Sequence, residues 1–544
     1  MRASISVVMA AAALAWTGPA PAQPPANVAV ERPRVQAGPP RDVVWRQGPA
    51  RPAAGRQAPN IIVIVADDLG YNDISFNGGG VAPGVATPNI DSIARQGVSF
   101  DQAYAGHATC APSRAALLTG RYPTRYGFEF TPVPLAFARQ VRAHHYGLRN
   151  PVYFAEREKD IIPMSEMGVP TGEITIAQLL QAKGYHTIQL GKWHLGEAPK
   201  FQPQHRGFSE SLGFTGGASL FLPKEDPRVV NAFQGFDPID QNLWGSLQFY
   251  VRKDGGEPFQ PKRHMTDYLT DEAVAAIAAN RNRPFFMYLA YNAPHTPLQA
   301  TREDYDSLPH ILDHRLRVYA AMIRQLDRGV GRVLQALEEQ GLERDTLVMF
   351  TSDNGGAYYV GLPDLNRPFR GWKQTFFEGG IRGPLFMRWP AVIPAQSVYR
   401  GPVSHFDIFA TAAAAARAPV PKDRRMDGVD LVPYVLGRRA GRPHDVLFWR
   451  TGAYRVVRAG DWKLQVTERP QKDWLYDLAA DPTERSNLAE AMPAKVAELK
   501  RLLAQHDAEQ ARPLWPELGQ SPVMLDHALD VPQSVRDEYV YWGN

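Results

Sequence analysis

The sequence predicts an α/β protein: a large, mainly parallel or mixed sheet flanked by helices, joined to a smaller C-terminal α+β domain with an antiparallel sheet. Three observations predict it. Short apolar runs at 61–66, 187–190, 285–290 and 347–351 have the length and composition of buried strands. Helical spacing fills the intervals, at 174–182 and at 315–340, where Ala320, Ile323, Leu326, Val330, Val333, Leu334 and Leu337 recur on one face. After about residue 440 the pattern becomes closely spaced short strands, 446–449, 454–457 and 462–466, followed by a helix around 494–505. Strands that alternate with helices imply parallel pairing with both faces covered, so the domain limits are read as 59–440 and 441–544.

The start of the chain reads as a targeting segment. Met1-Arg2, an apolar run over 5–16 and Ala20-Pro21-Ala22-Gln23 form the charge, core and small-residue pattern of a secretory signal over 1–22. Segment 23–58 is rich in Pro, Ala, Arg and Gly without periodicity and reads as a tether. The mature protein is expected in the periplasm or secreted. No later stretch reaches the roughly 20 apolar residues of a membrane span, so no integral membrane segment is expected after signal cleavage.

Of 544 residues, 44% are hydrophobic and 21% charged, enough to bury a large core. The formal charge is +4, and the basic pairs Arg424-Arg425 and Arg438-Arg439 are isolated, which argues against nucleic acid as a partner. A single cysteine, Cys110, excludes an internal disulfide and leaves one thiol in a protein bound for an oxidising compartment.

Each strand is followed by polar residues, where open α/β sheets bind ligands: Asp67-Asp68, Lys192-Trp193-His194, His295 and Asp353-Asn354. Adjacent carboxylates repel unless a cation compensates them, although acidic residues in such loops are more often turn formers or helix caps. Asp353-Asn354-Gly355-Gly356 repeats the arrangement, and its ordinary alternative is an Asn-Gly turn. Together the two loops supply hard oxygen donors on one sheet edge, which favours calcium or magnesium over zinc. Cys110 precedes Pro112 and the helix formers Ala115, Ala116, Leu117 and Leu118, so it should open a helix, with Arg114 one turn on.

Here the chain resembles the sulfatase family. Cys110-Ala111-Pro112-Ser113-Arg114 matches its Cys-x-Pro-x-Arg signature and Leu118-Thr119-Gly120-Arg121 the usual continuation. The likeness runs from about 60 to 488, through Gly191-Lys192-Trp193-His194-Leu195-Gly196, Ala293-Pro294-His295, Ser352-Asp353-Asn354-Gly355, Glu378-Gly379-Gly380-Ile381-Arg382 and Leu475-Tyr476-Asp477-Leu478. It implies hydrolysis of aryl or carbohydrate sulfate monoesters. Cys110 would be converted to formylglycine by a maturation enzyme during export, and its hydrate would attack sulfur to give a sulfated enzyme. It further implies one calcium, or less favourably magnesium, held by Asp67, Asp68, Asp353, Asn354 and the modified Cys110. Arg114, Lys192, His194, His295 and Lys373 would line the sulfate pocket.

In that scheme His194 is the base that releases sulfate, and His295 and Lys373 protonate the departing alcohol. The partner is a sulfated small molecule or saccharide. A phosphonate or phosphate ester hydrolase of the same superfamily is the nearest alternative, and an inactive exported glycan-binding protein a weaker one. His107, His144 and His145 read as structural, Trp193 as packing, and the segments 128–169 and 214–261 as the loops that set selectivity. Replacing Asp353 by Ala should remove most activity while leaving the fold largely intact.

Overall fold

The computed structural model describes residues 35–52, 58–80, 82 and 85–544. The expected signal segment 1–22 and the residues 23–34 and 53–57 of the expected tether lie outside the described residues.

A nine-stranded mixed sheet forms the centre. Its order is Ser397–Ser404, Val98–Tyr104, Leu385–Arg388, Thr346–Ser352, Asn60–Ala66, Phe285–Ala290, His186–Lys192, Glu210–Phe214, Arg252–Lys253. The four strands foreseen from apolar runs lie side by side in its middle and pair in parallel. Leu385–Arg388 runs antiparallel to both its neighbours, and Arg252–Lys253 runs antiparallel to Glu210–Phe214, which makes the sheet mixed.

Alternation along Asn60–Ala66 divides the core. Ile62 and Ile64 point to one side and pack with Leu269, Ile277, Ile323 and Val330 of the helices Met265–Asn280 and His314–Glu339. Ile61, Val63 and Val65 point to the other, with Ala111, Ala115, Leu180 and Phe409 of the helices Cys110–Thr119, Ile176–Ala182 and Phe406–Ala415. Every residue of the central strand is buried because both faces are covered, which is why it reads as a continuous apolar run. The helix foreseen at 315–340 spans His314–Glu339 and is capped by Asp313, whose side chain accepts from the Leu316 amide. Among the described residues no helix is long and apolar enough to cross a membrane.

The C-terminal part holds a four-stranded antiparallel sheet, Val446–Thr451, Tyr454–Ala459, Trp462–Glu468 and Gln471–Asp477. Helix Pro493–Asp507 packs on it through Val496, Leu499 and Leu503 against Val457, Leu464 and Leu475. Two further strands complete a three-stranded sheet: Gly519–Met524 pairs antiparallel with Tyr539–Gly543 on one side and with Val152–Tyr153 of the larger part on the other.

One stretch departs from the tether expectation. Residues 35–52 lie along the main domain: Trp45 is 3% exposed and its indole donates to Glu272 at 2.9 Å, and the Val35 amide donates to Gln248 at 2.8 Å. Composition alone hides this, because one buried indole and a few backbone hydrogen bonds fix a segment that is otherwise Pro, Ala and Arg.

Candidate active site

The site is built at the carboxyl ends of the four central strands. Asp67 and Asp68 leave Asn60–Ala66, Lys192 ends His186–Lys192, His295 follows Phe285–Ala290, and Asp353 and Asn354 leave Thr346–Ser352. Cys110 is the first residue of its helix, with Thr109 at the N-cap. All these residues and Lys373 are buried. The structure therefore gathers every candidate from separate stretches of sequence.

Charges alternate across the cluster. Lys192 Nζ donates to Asp67 Oδ2 at 2.6 Å, and Arg114 Nε to Asp353 Oδ2 at 2.8 Å. Lys373 Nζ lies 2.7 Å from both oxygens of Asp68 and 3.1 Å from Cys110 Sγ. The thiol is 3.6 Å from Asp67 Oδ1 and 3.8 Å from Asp68 Oδ1. The Asp68 amide donates to Asp353 Oδ1 at 3.1 Å and Asn354 Nδ2 to Asp68 Oδ1 at 2.8 Å, so both acidic loops meet in one place.

Burial is the largest influence on Asp67, Asp68, Asp353, Lys373 and His194. It pushes Asp67 well above the usual carboxylate range despite Lys192. At Asp68 burial is overcome by Lys373, His295 and Lys192, and at Asp353 by Arg114 and Lys192, so both are held low. Lys373 is raised well above its ordinary value, because Asp68 and the Cys110 thiol outweigh its burial. His194 is driven well below its ordinary value by burial and then by Lys192, Arg114 and Lys373, which leaves a neutral imidazole at pH 7.

A hard divalent cation fits this donor set. Ligand atoms of Asp67, Asp68, Cys110 and His295 lie within 4.8 Å of one another, and Asn354 Oδ1 is buried with no hydrogen-bond partner. Asp67 carries less compensation than its burial demands, which a cation would supply.

Three residues at the site hold left-handed backbone. Asp68, His194 and Gln374 have φ of 61°, 62° and 70°, a region that costs a non-glycine residue roughly 1–3 kcal/mol and persists where surrounding contacts enforce it. Gly217 meets His194 closely: a Cβ there would stand 2.8 Å from Nε2.

Sequence reading missed three contributors. Tyr359 donates its hydroxyl to Asp68 Oδ2 at 3.1 Å. His405 lies beneath the site between the Ser113 and Thr351 hydroxyls, each 3.1 Å away, and burial lowers it to about 4. Gln374 is tied by its amide to the Ala108 carbonyl at 2.9 Å. Tyr359 and Gln374 each adjoin a recognisable motif and were legible only by that adjacency; His405 carried no signal. His107 instead bridges Thr109 and the Arg450 carbonyl, and the Trp193 indole donates to the Phe201 carbonyl at 2.8 Å, both as packing and bracing groups.

Comparison with known proteins agrees with this geometry. The sulfatase family model matches residues 59–418, and the model of the N-sulphoglucosamine sulphohydrolase C-terminal region matches 370–510. The chain is 34% identical to N-acetylgalactosamine-6-sulfatase of Mus musculus over 422 residues, covering 76% of this chain and 72% of the relative. It is 31% identical to steryl-sulfatase of Mus musculus over 482 residues, covering 76% and 70%. The crystal structure of Ps i-CgsB in complex with k-i-k-neocarrahexaose is similar at 33% identity and a TM-score of 0.70, covering 84% of this chain and 95% of that one.

Proposed function

Given that this chain belongs to the sulfatase family and is a sulfuric ester hydrolase, we propose that it cleaves aryl or carbohydrate sulfate monoesters at the cluster around Cys110, with that residue matured to formylglycine. One observation carries the reading: Cys110, at a helix N-terminus, stands 3.1 Å from Lys373 and faces Asp67 and Asp68, with Arg114 and Lys192 completing a buried cationic ring. A sulfate monoester keeps its negative charge on oxygens that repel a nucleophile, so hydrolysis needs fixed cations around those oxygens.

Asp67, Asp68, Asp353 and Asn354, with the matured Cys110, would hold calcium, favoured over magnesium by the number of flexible oxygen donors. Bound there, the cation would polarise a sulfate oxygen and lower the pKa of a neighbouring hydroxyl. As an aldehyde hydrate, residue 110 would offer two hydroxyls on one carbon, one to attack sulfur and the other to expel sulfate.

The remaining steps belong to the chain's own side chains. Lys192 and Lys373 hold sulfate oxygens while staying paired to Asp67 and Asp68, and Arg114 keeps Asp353 oriented. His194 is the base for sulfate release, since a neutral imidazole can take a proton. His295 donates from Nδ1 to the Thr296 carbonyl at 2.5 Å, which leaves Nε2 toward the cluster. Burial lowers its pKa against the pull of Asp68 and Asp67, so it delivers a proton to the departing alcohol only through the minor imidazolium form.

The same reading has the precursor exported to the periplasm or beyond, with 1–22 as signal, and oxidised by a formylglycine-generating enzyme. Relatives named N-acetylgalactosamine-6-sulfatase and steryl-sulfatase, and a structural neighbour in complex with k-i-k-neocarrahexaose, support a sulfated saccharide or small molecule as substrate. The test is a mass spectrum of the Cys110 peptide together with sulfate release from a panel of aryl and saccharide sulfates. Loss of sulfur with gain of oxygen, tracking activity and calcium content, is expected. Full activity with only unmodified cysteine would overturn the maturation step, and no sulfate release from any ester the activity.

A further inference from the structure

The cleft above Cys110 has a cavity volume of ≈ 160 Å³ and two unlike sides. One is the charged cluster. The other is made by helices Leu135–Ala143 and Pro238–Ser246, which fall in the two segments expected to set selectivity. Residues four apart share a helix face, and Phe137 with Val141, and Ile239 with Leu243, line the cleft in this way. Val133 and Leu247 extend the same apolar surface. All but Val141 are only half-buried, so they keep apolar area open where they line the cleft. The wall is preformed: Asn242 Nδ2 on one helix donates to Gln140 Oε1 on the other at 2.7 Å, and Asp237 caps the second helix at the Ile239 and Asp240 amides.

Charge on this wall is sparse. Among the described lining residues, Arg142 is the one arginine or lysine besides Lys373, and its guanidinium donates to the Gly519 and Asn544 carbonyls at 3.4 and 3.2 Å. Recognition of several anionic groups calls for several free guanidinium or ammonium groups, and an extra sulfate set against aliphatic side chains would lose its hydration without return.

We infer that the wall receives the alcohol part of the ester, and that this part is a bulky apolar group, aryl or alicyclic, in preference to a saccharide bearing further anionic groups. The inference rests on the sulfatase reading and narrows its substrate class. Apolar side chains on two braced helices offer shape and dispersion contacts to such a group, while the cluster around Cys110 holds its sulfate.

Binding and turnover are measured separately. The Cys110→Ala variant is titrated by calorimetry with a polycyclic alicyclic sulfate and with a disaccharide carrying two sulfates. Tighter binding of the alicyclic ester, by about tenfold or more and with a negative heat-capacity change, is expected. Adding Leu243→Asn should reduce that preference about tenfold, and Leu243→Met should retain it. Equal or tighter binding of the disaccharide, no binding of the alicyclic ester, or a preference unmoved by Leu243→Asn would overturn the inference. Sulfate release by the unsubstituted enzyme decides the activity itself, so either conclusion can fail alone.

Discussion

Asp353 is held from two sides, by Arg114 at 2.8 Å and by the Asp68 amide at 3.1 Å, and Arg114 is fully buried. The Asp353→Ala variant would therefore leave a buried guanidinium short of its partner, a change that costs about 3–5 kcal/mol in comparable pairs. The sequence-based expectation that this variant spares the fold is revised accordingly. The Asp353→Asn variant keeps the shape and an acceptor, and should lose calcium affinity and activity with a much smaller fall in the urea midpoint than Ala; equal midpoints for the two would contradict the ion-pair argument. His194 gives a second prediction. Without it, alcohol release from an aryl sulfate should show a fast burst followed by turnover slowed about 10²–10⁴-fold, because only the later step uses this base. A stopped-flow trace without a burst would assign His194 elsewhere. The residues legible in advance were those whose chemistry is rare in a strand-end loop: paired aspartates, a lysine and histidine two apart, and a lone cysteine before a helix. His405 acts through contacts with partners far away in sequence, and such contacts leave no local pattern.

Helix Pro238–Ser246 carries part of the cleft wall and begins at a buried pair of acids. Burial pushes Asp237 up to about 7, opposed by the amides of Ile239 and Asp240, and Asp240 is raised well above its ordinary value by burial and by Asp237. A carboxyl whose pKa is raised on folding contributes its stability below the unfolded value near 4, and loses it as the pH climbs through about 7. The Asp237→Asn variant keeps a capping oxygen but cannot ionise, so it should be no more stable than the parent at pH 4 and become progressively more stable relative to it by pH 8. Denaturant midpoints at the two pH values check this, and a gap that moves the other way would show that Asp237 is charged in the fold. Elements with strong periodicity were legible within a few residues: the helix expected at 315–340 is His314–Glu339, and the strand expected at 347–351 is Thr346–Ser352. Val98–Tyr104, with Asp101 and Gln102 inside it, and Ser397–Ser404, with a glycine and a proline, pair toward the sheet edge and lack the continuous apolar run of the centre. Their pairing is decided by partners rather than by their own composition.

At the scale of the whole molecule, the two parts are joined by a buried charged knot that no sequence motif announces. Lys463, on the C-terminal sheet, reaches Glu378 beside the catalytic segment at 2.8 Å and Glu484 at 2.9 Å, and all three side chains are fully buried. Glu378 also accepts from the Tyr104 hydroxyl at 2.8 Å, while Glu484 accepts from the Glu378 amide at 2.6 Å. Burial raises both acids. Lys463, Arg382 and Arg458 overcome it at Glu378, which is held down at about 2, whereas Glu484 remains pushed up to about 7. Removing the lysine alone would strand a carboxylate away from water, a loss of about 3–5 kcal/mol in comparable cases, whereas replacing a whole buried ionic group by apolar residues of similar volume is often neutral. Lys463→Met should therefore lower the denaturation midpoint of the enzyme strongly, and the triple variant with Glu378→Met and Glu484→Met should recover much of it. Activity is the second readout: Glu378 lies five residues after Lys373, so slack between the two parts should loosen the hold on Lys373 and weaken sulfate binding in the single variant at temperatures where it is still folded. A Lys463→Met protein with unchanged midpoint and unchanged KM would show that the C-terminal sheet is only appended to the catalytic domain and does not brace it.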